Sequence, residues 1–179
     1  VLGPTGGGKT TFTNNGTLTV SGSGTLTING NLYHASGATF NQSGGNINID
    51  GNAAGVAANS VASGTYLLSL NAVVNWTGGT LTIVDPSAAT TATYSIYYNS
   101  STSSDISANH TLVFGDGVSS DAGGNAAGFY TYNWAGSGKL NFGSLIINGP
   151  GTGTASGTNR MWTIATYSQG IIGNLTINS

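Results

Sequence analysis

The sequence predicts an all-β fold: a parallel β-helix (β-solenoid) with roughly three short strands per turn and inserted loops in its later turns. Three observations predict it. Apolar residues alternate with Thr or Asn in runs such as TLTV, TLTI and NINI, the signature of a half-buried strand. The centres of the first runs, Leu18, Leu26, Leu32, Phe40 and Ile47, lie six to eight residues apart. The links between them are too short for the crossover helices that a doubly wound parallel sheet requires.

Taken in order, TFT, TLTV, TLTI, ATF and NINI put Phe12, Leu18, Val20, Leu26, Ile28, Phe40, Ile47 and Ile49 on one side. Thr11, Thr13, Thr17, Thr19, Thr25, Thr27, Thr39, Asn46 and Asn48 fall on the other. NNG, SGSG, NGN and QSGG read as turns, because Gly and Asn accept the positive φ of a sharp bend. Three such strands make a circuit of roughly 21 to 24 residues, within the range of stacked-repeat architectures. After Asp50, strand-like runs return at Tyr66–Leu70, Val73–Trp76, Thr80–Val84, Ala92–Tyr98, Thr111–Phe114, Phe129–Trp134, Lys139–Phe142, Ser144–Ile147, Met161–Ala165 and Asn174–Ile177. Looser Gly/Ala/Ser stretches separate them and recur about every 30 residues, as inserted loops would. No linker divides the chain, so residues 1–179 read as one domain, expected to be an internal section of a longer protein.

Composition narrows the function. Charged residues make up 4% of the chain, with five acidic and three basic side chains, against roughly 25% in ordinary domains. That poverty of charge argues against nucleic acid and anionic membranes as partners. Sixteen aromatics and many β-branched residues argue against disorder. Cysteine is absent, which excludes disulfides and thiolate metal sites. No apolar run reaches the roughly 20 residues of a membrane span.

One motif invites a different reading. GPTGGGKT satisfies the phosphate-loop pattern, with Gly3, Gly8, Lys9 and Thr10 in its key places. That chemistry needs a strand before the loop and a helix behind it. TFTNNGTLTV follows instead, a strand and a turn, so the match is read as chance in a chain with 30 glycines. No cofactor is expected.

Other candidates are sparse. His34 and His110 have no neighbouring ligand residues and read as two surface histidines. Asp105 and His110 with a serine form a triad only on paper. Asp116 and Asp121 in FGDGVSSDAGGN are weak calcium candidates, without the ligand spacing of an EF-hand or a calcium-binding β-roll. No metal is assigned, and the carboxylate supply is too poor for a polysaccharide-cleaving enzyme. Aromatics offer more. Tyr130, Tyr132 and Trp134 share one face of FYTYNW, and Tyr94, Ile96 and Tyr98 share one face of YSIYYN. These read first as interior rings, and otherwise as a platform for sugar rings, with Tyr97 the better candidate for an exposed ring. The T-x-T pairs raise ice binding as a further alternative. Asn46/Asn48, Thr39/Asn41 and the later loops are expected to break that rank. Six N-x-[ST] sequons match what composition alone produces.

GTLTVSGSGTLTINGNLYHASGATFNQSGGNINIDGN, with GSLIING and GNLTINS later, resembles the Gly/Asn/Thr-rich repeats of large bacterial surface and secreted β-helix adhesins. The closest likeness is to those of Bacteroidetes exported by the type IX pathway, some of which serve gliding. The resemblance implies a secreted or cell-surface location and attachment to a substratum or polysaccharide. The expectation is therefore a non-catalytic structural and adhesive module. Its partners would be neighbouring solenoid segments, or copies of itself end to end, and surface polysaccharide. A carbohydrate-binding or carbohydrate-active β-helix and an ice-binding solenoid are the alternatives.

Overall fold

Thr, Ile, Leu and Val in strict alternation extend the backbone, because branched side chains fit a pleated strand better than a helix. The structure, a computed structural model, describes residues 11–50, 60–61, 64–84, 93–116, 131–134, 136–148, 163–164 and 170–178. Among these residues there is no helix. The strands are β1 (Thr11–Asn14), β2 (Thr17–Val20), β3 (Thr25–Asn29), β4 (Asn31–His34), β5 (Thr39–Asp50), β6 (Ser60–Val61), β7 (Gly64–Leu70) and β8 (Asn75–Ile83). They continue as β9 (Thr93–Tyr98), β10 (Ser104–Asp105), β11 (His110–Phe114), β12 (Thr131–Trp134), β13 (Leu140–Asn141), β14 (Ser144–Ile147), β15 (Thr163–Ile164) and β16 (Leu175–Ile177).

From β3 onward the chain passes back and forth between two parallel sheets. The first runs β1-β4-β7-β9-β12-β15, and the second β16-β14-β11-β8-β5-β2, with β3 also on β5. β10 and β13 form a short parallel pair. The one antiparallel pairing among the described residues is the short β6 on β7. Each strand pairs with the one a repeat further along. Thr11 meets Asn31 and Leu26 meets Ile47, offsets of 20 and 21 residues. Later offsets lengthen: Leu32 to Leu68 is 36, Leu68 to Ile96 is 28 and Leu112 to Leu145 is 33.

Register makes columns of like residues. Leu26, Ile47, Leu81, Leu112, Leu145 and Leu175 form one, and Ile28, Ile49, Ile83, Phe114, Ile147 and Ile177 the next. Ile28, Ile47, Ile49, Leu81, Ile83, Phe114 and Leu145 are wholly buried. Each such side chain contributes about 1.5–3 kcal/mol relative to exposure. The first sheet supplies Leu32, Leu68, Leu70, Ile96 and Tyr98 to the same core.

One expected turn is not a turn. QSGG lies inside β5, joining what the sequence presents as separate runs, and TGG, between the runs Val73–Trp76 and Thr80–Val84, lies inside β8 in the same way. The register shifts between Gln42 and Ser43 and again between Ser43 and Asn46, so the strand bends at a bulge without leaving its ladder. Glycine makes this possible. Gly45 has φ 67° and an added Cβ would lie 2.6 Å from the Gly24 carbonyl oxygen. At Gly79, φ is 89° and a Cβ would lie 2.7 Å from the carbonyl oxygens of both Gly44 and Gly45.

Gly79→Ala therefore costs about 2 kcal/mol or more through left-handed strain and backbone collision. Gly16→Ala, with nothing within 4 Å of its Cβ position, leaves stability nearly unchanged. Urea unfolding of the two variants checks the difference.

Candidate functional site

Period-two alternation places polar residues inside as well as outside. His34 follows Leu32 by two, and His110 precedes Leu112 by two, so both imidazoles point inward with the leucines. Both are fully buried, which corrects the expectation of two surface histidines. The signal lay in their phase within NLYH and NHTLVF, which outweighs their polarity once the strands exist.

A line of rings crosses the interior. His34 meets Phe40 edge-on at 5.8 Å, Phe40 meets Trp76 edge-on at 5.2 Å, and Trp76 stacks on His110 at 4.8 Å. Edge-to-face and offset contacts of this kind add to area burial. Each end of the line is held by an amide. Asn14 donates through Nδ2 to the Thr39 carbonyl at 2.9 Å and to His34 Nδ1 at 3.1 Å. Gln42 donates through Nε2 to the Thr80 carbonyl at 3.0 Å, leaving Oε1 to accept from His110 Nε2 at 3.0 Å. These networks assign the Nε2–H tautomer to both rings. Tyr98, also fully buried, donates to the Thr102 carbonyl at 2.5 Å and lies 3.0 Å from Ser104 Oγ. The chain spends these amides and hydroxyls on holding its interior together.

Burial pushes His110 down to about 4 from an ordinary value of 6.5. Burial likewise lowers His34, opposed in part by a hydrogen bond with the Val73 backbone. Both rings are neutral at pH 7. Among the described residues neither one has a carboxylate as a hydrogen-bond partner: Asp105 is exposed and accepts from Asn141 Nδ2 at 2.7 Å. The paper triad is not brought together. Among the described residues no three His, Cys, Asp or Glu side chains converge as metal ligands would.

The two sheets differ on their outer sides. In the first, Asn31, Leu67, Ser69 and Ser95 stand at outward-phase positions yet are buried, so that side is covered at its middle. Tyr33 and Tyr97 share an outer file with Ser69 between them, and both are half-buried. Tyr33 was not legible as a partner of Tyr97, since 64 residues separate them. Tyr132 and Trp134 lie in β12, where their backbones pair with Ile96 and Tyr98; Tyr130 lies outside the described residues. Asp116 is half-buried just past β11, while Asp121 and Gly3, Gly8, Lys9 and Thr10 lie outside the described residues.

In the second sheet the outer side carries two files of half-buried to exposed residues. Thr25, Asn46, Thr80, Thr111 and Ser144 form one file and Thr27, Asn48, Thr82, Val113, Ile146 and Thr176 the next. None of the eleven is buried. The register of both files is unbroken among the described residues, while the later loops expected to interrupt this face lie outside them. At the β2–β3 edge, Leu18, Val20 and Leu26 line an open cavity of about 410 Å³. At the opposite edge Leu175 and Ile177 are 52% and 70% exposed.

No family, curated protein or solved structure matches this chain.

The buried histidine sets a pH dependence. Above pH 6.5 His110 is neutral folded or unfolded. As pH falls from 6.5 towards 4, the unfolded chain takes up a proton that the fold resists, so stability drops, by about 3 kcal/mol in all. Below about 4 this loss saturates. His110→Gln keeps a donor for Gln42 and removes the titration, so its stability falls less over that window. Urea unfolding at stepped pH reads the difference.

Proposed function

We propose that the two sheets are walls of one parallel β-solenoid and that the chain is a non-catalytic, extracellular structural and adhesive module. Its work would be extension: a stalk or filament segment of a cell-surface protein. The alternation of the chain between two in-register parallel sheets supports the winding. The observation that carries the function is the pair of apolar columns that run in register from β3 to Leu175 and Ile177 on β16. Stacked repeats of this kind lengthen by adding rungs, each packed on its neighbours. A neighbouring segment or a second copy continues both columns, and a head-to-tail contact of that kind builds filaments. Poverty of charge, 4% of the chain, accords with a structural role.

Contact with surface polysaccharide is a second reading, favoured by Tyr33 and Tyr97 on one outer file. Two strand spacings place their backbones roughly 9.5 Å apart, and half-exposed tyrosines offer an apolar face with a polar tip to a sugar ring.

For the first reading, sedimentation of the wild type shows association that grows with concentration, and Leu175→Lys with Ile177→Lys abolishes it while circular dichroism stays unchanged. A wild type monomeric at all concentrations counts against the stalk. For the second, Tyr97→Ala weakens co-sedimentation with insoluble β-linked polysaccharide at least several-fold; equal binding by both proteins removes that reading.

A further inference from the structure

The outer side of the second sheet carries an observation that neither reading uses. Its two files run across β3, β5, β8, β11 and β14 without a break in register, and the second file reaches β16. In the chain, the long connectors follow β5, β8, β11 and β14, after the residues that form the files. What stands on the files is chemically uniform. Eight of the eleven residues are β-branched (Thr25, Thr27, Thr80, Thr82, Thr111, Val113, Ile146 and Thr176), and the others are Asn46, Asn48 and Ser144. None is charged and none is aromatic.

We propose that this face binds ice. Three properties of the array select that ligand. Neighbouring strands lie roughly 4.8 Å apart and alternate residues along a strand roughly 6.7 Å apart, so methyls and hydroxyls repeat in two dimensions on spacings close to those of oxygens in hexagonal ice. Thr, Val and Ile are stiff at χ1, so the array is ordered before it meets its ligand and little side-chain entropy is lost. Threonine supplies both a methyl that orders water around it and a hydroxyl that donates and accepts. A charged ligand finds no counter-charge at these positions. A crystalline polysaccharide is gripped by flat aromatic faces, and the files have none. The partner that remains is uncharged, periodic and made of hydrogen-bonding water.

The Asn46/Asn48 rank is the weak one, because amides lack the methyl that its neighbours in β3 and β8 repeat. This makes the proposal testable in both directions. The whole chain is assayed by thermal hysteresis and by the shape of ice crystals grown in its solution. The wild type facets the crystals and gives hysteresis that rises with concentration. Thr82→Tyr and, separately, Thr111→Lys lose it, each with unfolding curves like wild type; either alone suffices if the other fails to fold. Asn46→Thr with Asn48→Thr raises it. Thr13→Lys, exposed on the other sheet, leaves it unchanged. A wild type that neither facets ice nor gives hysteresis overturns the proposal, as does equal loss in Thr13→Lys. Co-sedimentation with microcrystalline cellulose in the absence of faceting overturns it in favour of a sugar lattice.

Discussion

Parallel pairing in fixed register is the constraint from which the rest follows. Because side chains alternate with period two, a slip of one residue between β5 and β8 would turn Ile47 and Ile49 outward and bring Asn46 and Asn48 into the core. Burial of two isoleucines and exposure of two asparagines thus hold the backbone ladder in place, and the ladder in turn aligns every other column. The outer files, the ring contacts and the stacked glycines are consequences of that single alignment. Outside the core, amide pairs reinforce it: Asn75 donates to Asn41 at 3.3 Å and Asn178 to Asn148 at 2.8 Å, each between neighbouring strands.

The polar interior has a cost that the alignment must meet. Among the described residues, Trp76 Nε1 and His110 Nδ1 are buried without a hydrogen-bond partner, and an unmade bond at such a group costs about 1–3 kcal/mol. Ring stacking and the Gln42 bridge offset it. What these residues supply in return is position: Gln42 ties β5 to the backbone of β8 at Thr80 and to the ring of His110 at the start of β11. In a chain with almost no charge, neutral amides and imidazoles take the place that ion pairs occupy elsewhere.

Much of the strand content was legible in the alternation of TLTI and NINI, and the inward set from Phe12 to Ile49 was read with its correct phase. Three things were not legible. QSGG and TGG carry the composition of turns, but whether a glycine pair ends a strand or bends it depends on the carbonyls stacked beneath, which local sequence does not show. His34 and His110 look like surface residues by polarity; only the phase of their strands turns them inward. The outer files and the Tyr33–Tyr97 pair join residues 21 to 64 positions apart. Pairing across connectors of unequal length fixes those neighbours, and no periodicity survives to announce them.

The unequal connectors have a kinetic implication. Closing a loop of about 20 residues or of 36 differs by only a few tenths of a kcal/mol in entropy, since that cost grows with the logarithm of length. Every strand therefore meets its template at nearly the same expense, however many strands came before. Growth can proceed one rung at a time from any formed pair. Such a protein can be fed out gradually from one end and still fold as it emerges.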